Sequence, residues 1–238
     1  MNILITNDDG ISSPVLPLLA RWASKLGNVT IAAPTVEQSG KSHAIHFTRE
    51  IEITTVEIVP GLTGYAVDST PADCVRFATH ALSKSFDLII AGINRGYNLG
   101  DDIVYSGTCG AVFESARMGI RGLALSADIV NLMDAPDSLD EVWSFINENA
   151  LYDYNLIYNV NIPPCPTGIR ITKQGGMYYC DTFLHKAGHM YIQAGEIKED
   201  SGSDPTTDIN TVRAGVISVL PLNASRTEMT VFDKFNKL

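Results

Sequence analysis

Short apolar runs alternate with amphipathic segments along the first two thirds of the chain. The run 86–93 is almost continuously apolar, which is typical of a strand buried on both faces. Apolar residues at helical spacing from Val15 to Leu26 predict a helix, with Ser13 as its N-cap and Pro14 at its first helical position. The same two patterns predict strands at 2–6, 29–33, 65–67, 123–127 and 156–162 and helices at 70–82, 109–119 and 140–150.

Strands that alternate with helices of this length predict an α/β fold with a three-layer, Rossmann-like, mostly parallel sheet. Residues 46–59, in which threonine and isoleucine interleave, predict extended chain. A late apolar run at 216–220 predicts a strand that rejoins the main sheet.

The chain changes character after residue 165. Short β runs at 177–183 and 189–193 flank a connection that contains Gly188, which predicts a hairpin. We therefore expect a single α/β domain over 1–238, in which residues 176–195 form a protruding C-terminal β-hairpin excursion.

Composition excludes several classes of protein. The 238 residues are 45% hydrophobic and 18% charged, which is enough apolar material for a substantial core. The net charge of −10 argues against nucleic acid or an anionic membrane as the main partner. None of the four cysteines forms a C-x-x-C pair, so structural zinc is not expected. The first residues enter a strand without a basic, apolar leader, so we expect a cytoplasmic protein.

Polar clusters follow three of the predicted strands. They cover residues 7–10, 37–42 and 94–102. Because ligands of open α/β sheets bind beyond the carboxyl ends of parallel strands, these clusters can converge on one site. Asp8 and Asp9 have a structural interpretation as turn formers and helix-capping acids. Together with amide and hydroxyl oxygens from the other clusters, they also form a set of hard ligands that suits Mg²⁺ or Mn²⁺.

The segment Tyr105-Ser106-Gly107-Thr108 is predicted to lead from a loop into a helix. Free N–H groups at such a helix end favour a phosphate, although an ordinary N-cap is the commoner role of these residues. The segment lacks the Gly-Lys-Ser/Thr ending of a Walker A loop. A cation beside a phosphate would support phosphoryl chemistry, with Asp8 or Asp9 as the base toward water. A phospho-aspartate route is the rival, but Asp8 and Asp9 are adjacent, so we prefer direct attack by water.

Several segments of the sequence resemble those of a known family. The chain resembles the SurE survival-protein family of nucleotidases, strongly to about residue 126 and then in patches to about residue 206. The fourth of its motifs, at 92–102 and 105–108, is the most specific. The segments that carry the resemblance are Met1-Asn2-Ile3-Leu4-Ile5-Thr6-Asn7-Asp8-Asp9-Gly10, Ala33-Pro34, Ser39-Gly40 with Ser42, Thr70-Pro71-Ala72-Asp73-Cys74-Val75, Gly92-Ile93-Asn94, Asn98-Leu99-Gly100-Asp101-Asp102, Tyr105-Ser106-Gly107-Thr108, Thr207-Asp208 and 216–222.

The resemblance implies a metal-dependent nucleotidase that hydrolyses nucleoside 5′-monophosphates, with some action on 3′-nucleotides and polyphosphate. It implies one divalent cation per subunit, and a homodimer or homotetramer in which the hairpin and the tail are exchanged. A broader phosphatase or exopolyphosphatase, and a catalytically silent nucleotide-binding sensor, are the alternatives. The implied metal ligands are Asp8, Asp9, Ser39 and Asn94, and the implied phosphate-pocket residues are Asn98, Ser106, Gly107 and Thr108.

Four residues depart from the family pattern, and none of them is an implied metal ligand. They are His46, Ser69, Cys109 and Ser115. These departures put substrate preference and oligomer contacts in question more than the chemistry.

Overall fold

A computed structural model describes residues 1–199 and 202–236 of the chain. In these ranges the chain forms eleven strands and six α-helices, with short 3₁₀ turns between some of them. In chain order they are β1 (Asn2–Thr6), α1 (Leu16–Ala23), β2 (Asn28–Pro34), β3 (Ile53–Val59), β4 (Leu62–Val67), α2 (Pro71–Ala81), β5 (Leu88–Arg95), α3 (Gly107–Arg117), β6 (Arg121–Ala127), α4 (Leu139–Glu148), β7 (Ile157–Ile162), β8 (Ile169–Ile171), β9 (Tyr179–His185), β10 (Tyr191–Ile197), α5 (Asp208–Arg213), β11 (Ile217–Pro221) and α6 (Met229–Phe235).

Nine of the strands form one sheet in the order β3-β4-β2-β1-β5-β6-β7-β11-β8. The six adjacent strands β4-β2-β1-β5-β6-β7 run parallel to one another, whereas β3 pairs antiparallel with β4 and β11 pairs antiparallel with β7. The prediction of a mostly parallel α/β sheet is therefore confirmed, and the late strand rejoins that sheet as predicted.

Helices cover both faces of the sheet, which gives three layers. Ile3 and Ile5 of β1 face the layer that contains α1 and α4, whereas Leu4 between them faces the layer of α2 and α3. All three side chains are fully buried. Each buried aliphatic side chain of this size contributes about 1.5–3 kcal/mol, so these two cores hold the strand ends in place.

The predicted hairpin is present and forms a two-stranded sheet of its own. Its strands, β9 and β10, pair antiparallel from Tyr179 with Ile197 to His185 with Tyr191, slightly later in the chain than predicted. Phe183 and Tyr191 on this hairpin are among its exposed large side chains. No helix in the described part of the chain has the length and hydropathy needed to cross a membrane.

Two local predictions are wrong. The helix α1 begins at Leu16, and the Ser13 hydroxyl is buried without a hydrogen-bond partner among the described residues. Pro17 has no N–H to donate to the Ser13 carbonyl, so a helix capped at Ser13 would lack its first hydrogen bond. The prediction of extended chain over 46–59 fails at 47–49, where the chain bends, and a strand begins only at Ile53, where pairing with β4 starts.

Candidate active site

The turn after β1 is fixed by one side chain. The Asn7 amide donates to the Gly10 carbonyl at 2.9 Å and accepts from the Gly10 N–H at 3.0 Å. Gly10 has a φ of +95°, which glycine adopts without strain. This closed turn lets Asp8 point into the protein with 4% of its surface exposed, while Asp9 stays partly exposed.

The carboxylate of Asp8 lies against the N-terminus of α3. The Thr108 hydroxyl donates to Asp8 Oδ1 at 2.6 Å. A Cβ added to Gly107 would lie 3.1 Å from Asp8 Cβ and 3.2 Å from Asp8 Oδ2, so glycine is what allows this close approach. Ser106 is the N-cap of α3, and its Oγ accepts from the Cys109 N–H at 3.0 Å. The positive end of the helix dipole therefore faces the buried carboxylate.

The end of β5 brings Asn94 to the turn after β1. The Arg95 N–H donates to Asp9 Oδ2 at 3.2 Å. The Asn94 Nδ2 donates to the Gly96 carbonyl at 2.7 Å, which assigns the amide so that its oxygen is left to bind another group. Pairing with β6 is irregular between Ala91 and Asn94, where Gly92 takes a φ of +137°.

The loop after β2 also contacts this turn. The Gln38 N–H donates to the Asp8 carbonyl at 2.7 Å. Ser39 follows in the chain and is exposed, and its hydroxyl donates to Glu37 Oε1 at 2.8 Å. The three strand ends therefore meet, but the described contacts of the Ser39 hydroxyl run to its own loop.

Asn98 occupies a different environment from the other candidate residues. It is 8% exposed, and its Nδ2 donates to the Ser126 Oγ at 2.8 Å. Within the described chain its hydrogen bonds run to β6 and β7, and none joins it to Asp8 or to residues 106–108.

The electrostatics of the two aspartates fit a cation. Burial raises the pKa of the Asp8 carboxyl to about 6, and burial also raises the pKa of Asp9. Asp8 forms no salt bridge within the described residues, so no protein cation balances its charge. The described chain contains no group of three or more His, Cys, Asp or Glu side chains arranged to hold a metal. A divalent cation here would therefore need the amide oxygen of Asn94 and the hydroxyl of Ser39 in addition to the carboxylates.

Comparison with known proteins decides the family. The family "Survival protein SurE" matches residues 3–181 of the chain. The chain belongs to the SurE family. Two proteins named 5′-nucleotidase SurE are similar over nearly their full length. That of Petrotoga mobilis is 35% identical over 246 residues, 98% of this chain and 97% of that protein. That of Syntrophotalea carbinolica is 37% identical over 243 residues, 98% of this chain and 95% of that protein.

A solved structure is similar as well. The crystal structure of the SurE protein from Aquifex aeolicus superposes with a TM-score of 0.80 at 31% sequence identity, and the match covers 99% of this chain and 98% of that one. The resemblance inferred from the sequence motifs is thus confirmed.

A second buried carboxylate lies on α3 of this SurE chain, away from Asp8. The Glu114 side chain is 3% exposed and binds His43 at 2.8 Å, Arg76 at 3.2 Å and Arg117 at 2.7 Å. Burial alone would raise the pKa of Glu114, but the hydrogen bonds from His43 and Arg117 lower it to about 2. This cluster fastens the loop that follows Ser39 to the helix that carries Thr108.

Three buried polar residues around Asn98 carried no candidate role in the sequence, and a fourth, Asp208, entered only through the family resemblance. Ser126, Asn159 and Asn161 contact Asn98, and Asp208 contacts the Gly100 N–H. The available signal was the pair of asparagines at alternate positions of the predicted strand 156–162, since polar side chains buried in a sheet need dedicated partners.

Proposed function

We propose that this chain is a 5′-nucleotidase that hydrolyses nucleoside 5′-monophosphates to nucleoside and phosphate, with one Mg²⁺ or Mn²⁺ per subunit. Membership of the SurE family and the names of the curated relatives support a phosphatase of nucleotides. The observation that carries the proposal is the buried Asp8 carboxylate, without a protein counterion in the described chain, held against the N-terminus of α3, where an anion is favoured.

The candidate residues divide between the cation and the phosphate. Asp8, Asp9, Ser39 and Asn94 would hold the cation through hard oxygen atoms. When bound, the cation supplies Lewis-acid activation of the phosphoryl group and of the attacking water.

The phosphate would bind at the first turn of α3. The Thr108 hydroxyl hydrogen is already donated to Asp8, so Thr108 would contribute its backbone N–H. The Ser106 Oγ accepts from the Cys109 N–H, and its own hydroxyl hydrogen remains able to donate to a phosphate oxygen. Gly107 and Asn98 would line the rest of the phosphate pocket.

The general base in this proposal is Asp9. Asp8 is buried, with its oxygens against Thr108 and Gly107, whereas Asp9 is partly exposed and binds the Arg95 N–H through Oδ2. As the water oxygen bonds to phosphorus, the water proton passes to Asp9. The bond from phosphorus to the nucleoside oxygen breaks, and that oxygen takes a proton from solvent. A positioned base of this kind contributes roughly 10²–10⁴-fold to the rate.

The proposal extends to assembly and location. We infer a cytoplasmic homodimer or homotetramer with neither nucleic acid nor membrane as partner. The exposed apolar side chains of the β9–β10 hairpin and of α6, such as Phe183, Tyr191 and Phe232, support self-association. The net charge of −10 supports the exclusion of nucleic acid.

The deciding experiment is a substrate panel with the purified full chain. AMP, GMP, CMP, 3′-AMP, a sugar phosphate and polyphosphate are compared with EDTA present and then with Mg²⁺ or Mn²⁺ in excess. We expect 5′-monophosphates to be the fastest substrates, EDTA to abolish turnover and the cation to restore it. Asp8→Asn should lower phosphate release from AMP at least about a thousandfold. The exposed Asp153→Asn is the matched control and should leave turnover unchanged.

Four results would contradict the proposal. Near-normal turnover by Asp8→Asn, or turnover indifferent to EDTA, would remove the assigned role of the cation site. Faster hydrolysis of polyphosphate than of AMP would favour the exopolyphosphatase alternative. AMP binding measured by calorimetry without phosphate release over hours would favour a silent sensor.

A further inference from the structure

Two buried amides on β7 are directed at a single residue. The Nδ2 atoms of Asn159 and Asn161 both donate to the Asn98 carbonyl, at 2.8 Å and 3.0 Å. The Asn161 Oδ1 also accepts from the Asn98 N–H at 2.9 Å. Both polar groups of the Asn98 backbone are therefore bound by side chains of a distant strand.

Further tertiary contacts hold the residues around Asn98. Its own side chain donates to Ser126 on β6. The Gly100 N–H donates at 2.8 Å to Asp208, a fully buried carboxylate at the start of α5. A segment of irregular chain is thus bound from β6, β7 and α5, and its conformation depends on these side chains rather than on local turns.

The structure gives Asn159 no comparable role in the stability of the sheet. Its side chain is fully buried, yet Oδ1 has no hydrogen-bond partner among the described residues. A buried polar atom without a partner is unfavourable, and an apolar side chain of similar size would avoid it. Without Asn159, the Asn98 carbonyl would still accept from Asn161. The distinctive contact of the Asn159 side chain is therefore the one to Asn98.

We propose that Asn159 and Asn161 are positioning residues that fix Asn98 for contact with the substrate phosphate. This inference rests on the proposed function, in which Asn98 lines the phosphate pocket. One Nδ2 hydrogen of Asn98 is donated to Ser126, which leaves the other free to donate to an anion. Asn159 and Asn161 act through Asn98 and are not themselves in contact with the phosphate.

The main test is Asn159→Leu in the full chain, with Asn159→Ala as a second variant that adds no branched side chain. We expect the urea midpoint of Asn159→Leu to be unchanged or higher. We expect the KM for AMP and the Kd for inorganic phosphate, measured by calorimetry with Mn²⁺ present, to rise about tenfold, with kcat little changed. Hydrogen exchange in the peptide that spans residues 96–102 should become faster by a similar factor.

The control removes a buried hydrogen bond from the neighbouring strand. The Ser218 Oγ on β11 lies 2.7 Å from the Thr172 Oγ1, and Ser218 is paired with Asn161 in the sheet. Ser218→Ala should lower the urea midpoint and leave both the phosphate Kd and the exchange of residues 96–102 unchanged.

A double-mutant cycle separates positioning from an independent effect. If Asn159 acts through Asn98, the Asn98→Ala and Asn159→Leu changes together should weaken phosphate binding no more than Asn98→Ala alone. Multiplying effects would overturn the proposal. So would an Asn159→Leu protein that is less stable but binds phosphate normally. Failure of the wild-type protein to hydrolyse AMP would refute the proposed function instead, since hydrogen exchange and phosphate binding report on Asn98 without turnover.

Discussion

Asp8→Asn should make the metal-free protein more stable while it removes activity. Burial raises the pKa of Asp8 from 3.8 to about 6, so the folded state disfavours the ionised carboxylate. This difference in pKa corresponds to about 3 kcal/mol of lost stability at pH 7.5. Asparagine carries no charge, and its Oδ1 can still accept from the Thr108 hydroxyl, which now lies 2.6 Å from Asp8 Oδ1. The substitution therefore removes the cost of burying a charge and keeps the hydrogen bond from Thr108.

The sign of the effect sets its pH dependence. Below the unfolded pKa of 3.8 the carboxyl is protonated in both states, so the group imposes no cost. The cost grows as pH rises and is complete above the folded pKa of about 6. Urea unfolding in EDTA should therefore give a gap in free energy of unfolding between Asp8→Asn and wild type of about 3 kcal/mol at pH 7.5, and about half of that at pH 5. Asp153→Asn should show no such gap.

Adding Mn²⁺ tests whether a bound cation offsets this loss of stability. A cation that binds only the folded wild-type protein stabilises it by about 2.7 kcal/mol at a hundred times its Kd. The wild type should therefore recover its deficit while Asp8→Asn gains little. Equal stability of the two proteins in EDTA at pH 7.5, or equal stabilisation of both by Mn²⁺, would refute the reasoning that a buried, unbalanced charge marks the cation site.

Three further substitutions probe the supports of the site. Gly107→Ala places a Cβ 3.1 Å from Asp8 Cβ, so kcat/KM for AMP should fall about 10²-fold while the circular dichroism melting curve changes little. Glu114→Gln leaves a histidine and two arginines without their carboxylate, so the free energy of unfolding in urea should fall by about 3 kcal/mol at pH 7. The pKa of Glu114 is lowered from 4.5 to about 2, so this loss should shrink as pH falls through that range. Gly92→Ala would bring a Cβ within 2.3 Å of the Leu125 carbonyl at a φ of +137°, so most of the protein should be recovered as insoluble aggregate on expression.

The parallel sheet and its site edge could be predicted because both follow from local patterns and one topological rule. The strand predicted from the apolar run 86–93 is β5, at Leu88–Arg95. Polar residues after β1, β2 and β5 meet because parallel strands end at the same edge of the sheet. Helix ends were less predictable. The start of α1 depended on Pro17, whose missing N–H outweighed the capping preference of Ser13.

The contacts that hold Asn98 could not be predicted, because tertiary folding alone brings the contacting residues together. Asn159 and Asn161 are 61 and 63 residues from Asn98 in the chain, and Asp208 is 108 residues from Gly100. No local rule connects segments so far apart. The alternation of asparagine with aliphatic residues in β7 predicts only that two amides share one face of the sheet.

That alternation nevertheless carries information about function. A strand buried on both faces gains nothing from an amide unless some other group needs its hydrogen bonds. The regular strands already satisfy their own backbone, so the groups in need belong to irregular chain that crosses the sheet edge. In this fold such chain is the loop after β5, where three strand ends meet. Asparagines within a buried strand of a parallel sheet are therefore a sequence signal for a loop that the sheet must hold in one conformation, and the experiment on Asn159 tests whether that conformation serves phosphate binding.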